Sequence, residues 1–126
     1  MCGATENARI SAMEAKIVEK PISKSELKAL AEEGFGDMVK AVVDVEKKVM
    51  ALGSELHAEA EILLTEQGSK REHVWGINIY PEKSGDEWIE FDSMVNIKPQ
   101  FNNRSRNVED PEIRAKITAI VNKLIT

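Results

Sequence analysis

A chain of 126 residues with 42% hydrophobic and 31% charged residues has the usage of one ordinary globular domain, which excludes collagen-like and disordered chains. Seventeen Lys and Arg against 22 Asp and Glu leave a net charge of −5, and this sign disfavours broad contact with nucleic acid or anionic membrane. One cysteine, Cys2, closes no internal disulfide and supplies no thiolate metal site. With no apolar run of about 20 residues, the expected setting is a reducing cytoplasm without membrane or cofactor.

Residues 1–13 mix small and polar types without periodicity and read as a mobile lead-in to a single domain over 14–126. Ala15 to Ile22 reads as a short strand that Pro21 confines to an edge or an end. Ser23 with Glu26 three residues on makes a capping box; Leu27, Leu30 and Ala31 follow on one face, and Gly34 stops this first helix. Val39 to Val45 alternates, and Val49 to Leu52 continues after Glu46-Lys47-Lys48, which predicts a hairpin. Gly53-Ser54 opens a second helix with Leu56, Ala60, Leu63 and Leu64 on one face and Gly68 as its stop.

Val74 to Tyr80 and Trp88 to Lys98 are the clearest strands, the second carrying Ile89, Phe91, Val95 and Ile97 on one face. After a polar loop, Asp110 caps a terminal helix with Pro111 in its first position, and Ile113, Ile117, Ile120, Val121 and Leu124 trace one stripe. The order β-α-β-β-α-β-β-α predicts an α+β domain, a two-layer sandwich in which three helices pack on one face of a mostly antiparallel sheet of four to five strands.

If the loop from Pro81 to Glu87 closes symmetrically, Tyr80 pairs with Trp88, Asn78 with Glu90, and Gly76 with Asp92, on the face away from Ile77, Ile79, Ile89 and Phe91. Such a surface suits a polar ligand, and it suits equally a solvated face or a subunit interface. Arg104 and Arg106, flanked by amides and a hydroxyl, suit an anion such as phosphate or carboxylate; alternatively they tie their loop down through Glu90, Asp92 or Glu109. The stretch from Lys98 onward holds six basic and three acidic residues, so this loop lies in a basic region of an acidic chain.

His57 is a candidate general base or metal ligand, with Glu61 one helical turn away. His57-Ala58-Glu59 matches the H-x-E fragment of zinc deaminases, but no cysteine follows Cys2 to complete that ligand set. Helices packed on the Ile89/Phe91 face would place His57 behind the sheet from Glu90. No Gly-rich phosphate loop, nucleophile elbow or H-E-x-x-H motif occurs, and no metal site is assigned.

Seven blocks carry a resemblance from about Met13 to the end: Glu19-Lys20-Pro21, Phe35-Gly36-Asp37-Met38-Val39-Lys40, Glu55-Leu56-His57-Ala58, Gln67-Gly68-Ser69, Trp75-Gly76-Ile77-Asn78-Ile79-Tyr80-Pro81, Ile89-Glu90-Phe91-Asp92-Ser93 and Asn103-Arg104-Ser105-Arg106. Their order resembles a family of small prokaryotic single-domain proteins known as a domain of unknown function. The resemblance implies a stand-alone domain and no activity. It places His57, Asn78, Glu90, Arg104 and Arg106 within its blocks.

Three expectations follow. The first is a non-catalytic binding module, a homodimer that takes an anionic or polar ligand through Asn78, Tyr80, Trp88, Glu90, Arg104 and Arg106. The second is a hydrolase using His57 with Glu90 and Asp92 as acid and base or as metal ligands. The third is regulation by protein or RNA contact, which needs Tyr80 and Trp88 exposed beside the arginines as a stacking platform.

Overall fold

The computed structural model describes residues 15–126. The expected lead-in over 1–13 and Cys2 lie outside the described residues. Among the described residues the chain is an α+β protein with three helices and a five-stranded antiparallel open sheet, in the predicted element order. The strands are β1 (Lys16–Val18), β2 (Val39–Asp44), β3 (Val49–Leu52), β4 (Val74–Ile79) and β5 (Ile89–Glu90), arranged β1-β3-β2-β4-β5. The helices are α1 (Lys24–Glu33), α2 (His57–Glu66) and α3 (Pro111–Leu124).

Local chemistry sets the boundaries. Ser23 Oγ accepts from the Glu26 amide at 3.1 Å, and Gly34 ends α1 by donating to Leu30 and Ala31. The β2–β3 turn closes without glycine. Asp44, buried at the end of β2, accepts from the amides of Glu46 and Lys47 while Lys48 takes a left-handed φ of 59°. Asp110 caps α3 through the Glu112 amide, with Pro111 in the first turn. The last residues close back on the start of the domain, where the Ile22 amide donates to Leu124 O and Thr126 donates to Ile22 O.

The placement of the helices departs from the sequence reading. Alternation in the sheet sends Val39, Ala41, Val43, Met50, Leu52, Trp75, Ile77, Ile79 and Ile89 to one face, where α1 and α3 cover them with Leu27, Ala31, Ile117, Ile120, Val121 and Leu124. The opposite face carries Val42, Ala51 and Val74, and α2 packs there through Ala60 and Leu64. Three helices on one side therefore give way to two on one side and one on the other. The physical reason is that β2 and β3 are apolar on both faces and each face must be buried.

Two boundaries also move. α2 begins at His57, not Ser54: Ser54 is buried with its hydroxyl on Leu56 O, and Leu56 becomes the exposed residue ahead of the first turn. The strand expected from Trp88 to Lys98 stops after Glu90 and is followed by short 3-10 turns at Met94–Asn96 and Pro99–Phe101. Buried Asn96 takes the place of a strand partner there. Its Oδ1 accepts from the Gly76 amide at 2.7 Å and its Nδ2 donates to Gly76 O at 3.0 Å, so β4 keeps its hydrogen bonds where β5 has ended.

Candidate functional site

Lys40 on β2, Asn78 on β4 and Glu90 on β5 are consecutive cross-strand partners, forming a polar row on the face that α2 partly covers. Beyond the covered part, a cleft of about 490 Å³ opens between this row, the first turn of α2 and the segment after β5. Its polar lining is Lys40, His57, Asn78, Glu90, Asp92, Ser93 and Arg106, with Met38, Leu56 and Met94 as apolar lips. Because α2 sits on this face, His57 and Glu90 share one cleft. The expected separation of these two by the sheet is thus overturned.

Asn78 is the buried member, 6% exposed. Its Nδ2 donates to Glu90 Oε1 at 2.8 Å and to Asp92 O at 3.3 Å, two groups that only accept, which fixes the amide orientation. Oδ1 is left buried with no hydrogen-bond partner among the described residues. A buried unpaired carbonyl costs about 1–3 kcal/mol, so this acceptor is the point of the cleft that most needs a donor.

Glu90 binds its neighbours through Oε1 alone, which also accepts from the Tyr80 hydroxyl at 3.1 Å. The Tyr80 phenol is held above its ordinary pKa by burial and then by Glu90, so it remains a donor. Lys40 lies 5.0 Å from the Phe35 ring centroid. Among the described residues, neither Lys40 nor Glu90 forms an ion pair.

His57 Nε2 lies 2.8 Å from Ile77 O. A carbonyl only accepts, so Nε2 carries the hydrogen and Nδ1 of the neutral ring holds the free lone pair. Burial, the largest influence, and the Lys40 charge lower the His57 pKa, against the Ile77 carbonyl, the Asn78 amide and Asp92, which raise it. The ring is consequently neutral at pH 7. Glu61 does not join it, lying instead 3.9 Å from Arg71 Nε.

The arginine loop is tied down. Arg106 Nε donates to Asp92 Oδ1 at 2.7 Å at the edge of the cleft. Arg104 lines no part of the cleft; its backbone amide donates to Glu109 Oε2, as do the amide and hydroxyl of Ser105. Those donors, with the Ser105 hydroxyl foremost, lower the Glu109 pKa. At the centre of the loop, buried Asn103 donates to the carbonyls of Asn96, Ser105 and Asn107 while its Oδ1 accepts from the Glu109 amide.

Of the expected cross-strand pairs, one holds without its aromatic stack and one changes partner. Tyr80 and Trp88 do face each other in register, with the Tyr80 amide on Trp88 O at 2.8 Å, but Trp88 is only 8% exposed and belongs to the core under α1 and α3. Trp88 takes a helical backbone (φ −82°, ψ −16°) at the end of the Gly85–Glu87 turn, so strand alternation begins only at Ile89. The stacking platform of Tyr80 with Trp88 is therefore not formed. Gly76 pairs with Asn96 rather than Asp92, because the strand has already ended.

Lys40 escaped the sequence reading as a site residue. Its signal was a cation inside the apolar run Val39-Lys40-Ala41-Val42-Val43, on the alternation face of Val42. Among the described residues, no three His, Cys, Asp or Glu side chains converge as a metal-binding group. A larger groove of about 780 Å³ runs between β1 and α1, but its lining contains no buried unpaired polar atom of the kind Asn78 supplies.

Sheet, helices and cleft define a small α+β protein with a polar row at the mouth of one sheet face. Residues 16–124 match a family described as proteins of unknown function (DUF5674), and the chain belongs to that family. No curated protein and no solved structure matches it. Among the described residues, no helix is long and apolar enough to cross a membrane.

Proposed function

We propose that the protein is a binding module for a small polar ligand held in the cleft between β4, β5 and the start of α2. The observation that carries this reading is Asn78 Oδ1, a buried acceptor without a partner among the described residues, set between a lysine and a carboxylate. Polar chemistry suits the cleft better than a purely anionic ligand, because Arg106 is engaged by Asp92 and Arg104 stands outside. The test is thermal unfolding against a panel of small polar compounds, with Lys40→Met and Glu90→Gln alongside the parent chain. A compound that raises the parent midpoint, and does so less in either variant, supports the reading; a stabilising compound indifferent to both substitutions contradicts it.

A second reading is acid–base catalysis, favoured by the convergence of His57 with Glu90 and Asp92 in one cleft. The free Nδ1 of neutral His57 is the base in this reading, and its Ile77 hydrogen bond sets the tautomer. His57→Gln then abolishes turnover while sparing affinity, whereas pure binding yields no turnover in either chain.

The same proposal includes a homodimer in a prokaryotic cytoplasm. One cysteine in 126 residues supports a reducing compartment. A native mass of twice 14.1 kDa bears the dimer out, and a mass of 14.1 kDa refutes it.

A further inference from the structure

From the charge pattern of the cleft we infer that its ligand is a zwitterion of the α-amino-acid type with an aliphatic side chain. This inference rests on the binding reading above and specifies its ligand class. The row Lys40, Asn78, Glu90 runs across three adjacent strands in register, so the ammonium-bearing and carboxylate-bearing strands stand two strand spacings apart, about 10 Å. Both side chains are long enough to close on one small molecule lying over Asn78.

Each charged end has an unused capacity. Lys40 has no carboxylate partner among the described residues, and Glu90 spends only Oε1 on Asn78 and Tyr80. The Asn78 acceptor between them calls for an N–H donor, which an ammonium group supplies while its other hydrogens reach the second oxygen of Glu90. The ligand carboxylate then meets Lys40. A ligand with only one charge gains one of these contacts and forgoes the other, so it binds more weakly than one that answers both ends of the row.

The lips explain the rest of the ligand. Leu56 is 55% exposed and Met94 is 68% exposed, and both border the cleft. Two exposed apolar side chains beside a buried polar floor suit a small molecule whose charged head goes down and whose aliphatic part stays at the rim.

The experiment is calorimetric titration of the full chain with leucine, N-acetylleucine, which lacks the ammonium, and leucinamide, which lacks the carboxylate. Leucine is expected to bind, with each analogue weaker by about tenfold or more. Lys40→Met is expected to weaken leucine and leave leucinamide unchanged, and Glu90→Gln to weaken leucine and leave N-acetylleucine unchanged. Both substitutions are at cleft positions that anchor no core packing, and circular dichroism of each variant checks the fold. An analogue that binds as tightly as leucine overturns the zwitterion and leaves the cleft as a binding site. Absence of binding by all three compounds overturns the zwitterion too, while stabilisation of the parent chain by another polar compound, sensitive to Lys40→Met or Glu90→Gln, keeps the binding reading alive.

Discussion

A β-carbon at Gly76 would lie 2.6 Å from both Cβ and Oγ of Ser93 and 2.8 Å from Cγ2 of Val95. Ser93 is itself buried and accepts from the Val95 amide, so it has little room to withdraw. Gly76→Ala is therefore expected to destabilise the protein by about 2 kcal/mol, the ordinary cost of overpacking, read from urea unfolding. Lys98 is a second such position. Its side chain is fully buried, donating to Arg71 O and Val74 O and lying 4.9 Å from the Trp75 ring centroid. Burial lowers its pKa to about 8, with Glu61 opposing and Arg71 reinforcing the shift. In the unfolded chain a lysine titrates near pH 10.4, so between these values the native state releases its proton first. Stability should rise with pH from about 8 to about 10. Lys98→Met, which keeps the stem and removes the amine, should flatten that rise.

At the scale of elements, α2 decides where the site lies, because it carries His57 onto the Asn78/Glu90 face. It is held there by Ala60 and Leu64 against Val42, Ala51 and Val74. Leu64→Ala is expected to cost about 3 kcal/mol and to weaken ligand binding as Leu56 loses its seat. Helix α2 was legible from its Ala and Leu residues and its Gly68 stop, but the face it covers was not. Alternation in β2 and β3 reports which residues share a side; when Val42 and Ala51 are apolar as well as Val43 and Met50, it does not say which side receives which helix.

The register of the β4–β5 hairpin was readable from loop length, and Asn78 meets Glu90 as the spacing indicated. The segment after Glu90 was not. Val95 and Ile97 mimic a strand, yet Asn96, Lys98 and Asn103 bury their polar groups on neighbouring backbone and turn the chain away, a tertiary arrangement that local patterning does not encode. Replacing Asn96 with Leu should reveal this, leaving the Gly76 amide and carbonyl unpaired at a cost of about 2 kcal/mol or more.

For the whole molecule, the titratable groups set an acid limit. The His57 pKa is lowered on folding, so below the unfolded value of 6.5 the unfolded chain gains a proton that the native cleft refuses. Stability should fall as pH drops below that unfolded value, and His57→Gln should remove that part of the slope. The Glu109 shift acts later, since a carboxyl with a lowered pKa contributes above its unfolded value of 4.5 and loses that contribution as acid protonates it.

An overall charge of −5 thus coexists with a cleft whose charged lining is balanced, Lys40 and Arg106 against Glu90 and Asp92. That contrast ties recognition to the local row and not to the global field. The most direct measurement is amide chemical-shift mapping of the full-length, isotope-labelled protein during titration with small polar compounds, leucine among them. The binding account predicts saturable shifts concentrated on His57, Asn78, Glu90 and the segment from Asp92 to Met94. Saturable shifts confined to the groove between β1 and α1, or none anywhere across the panel at millimolar concentration, would contradict it.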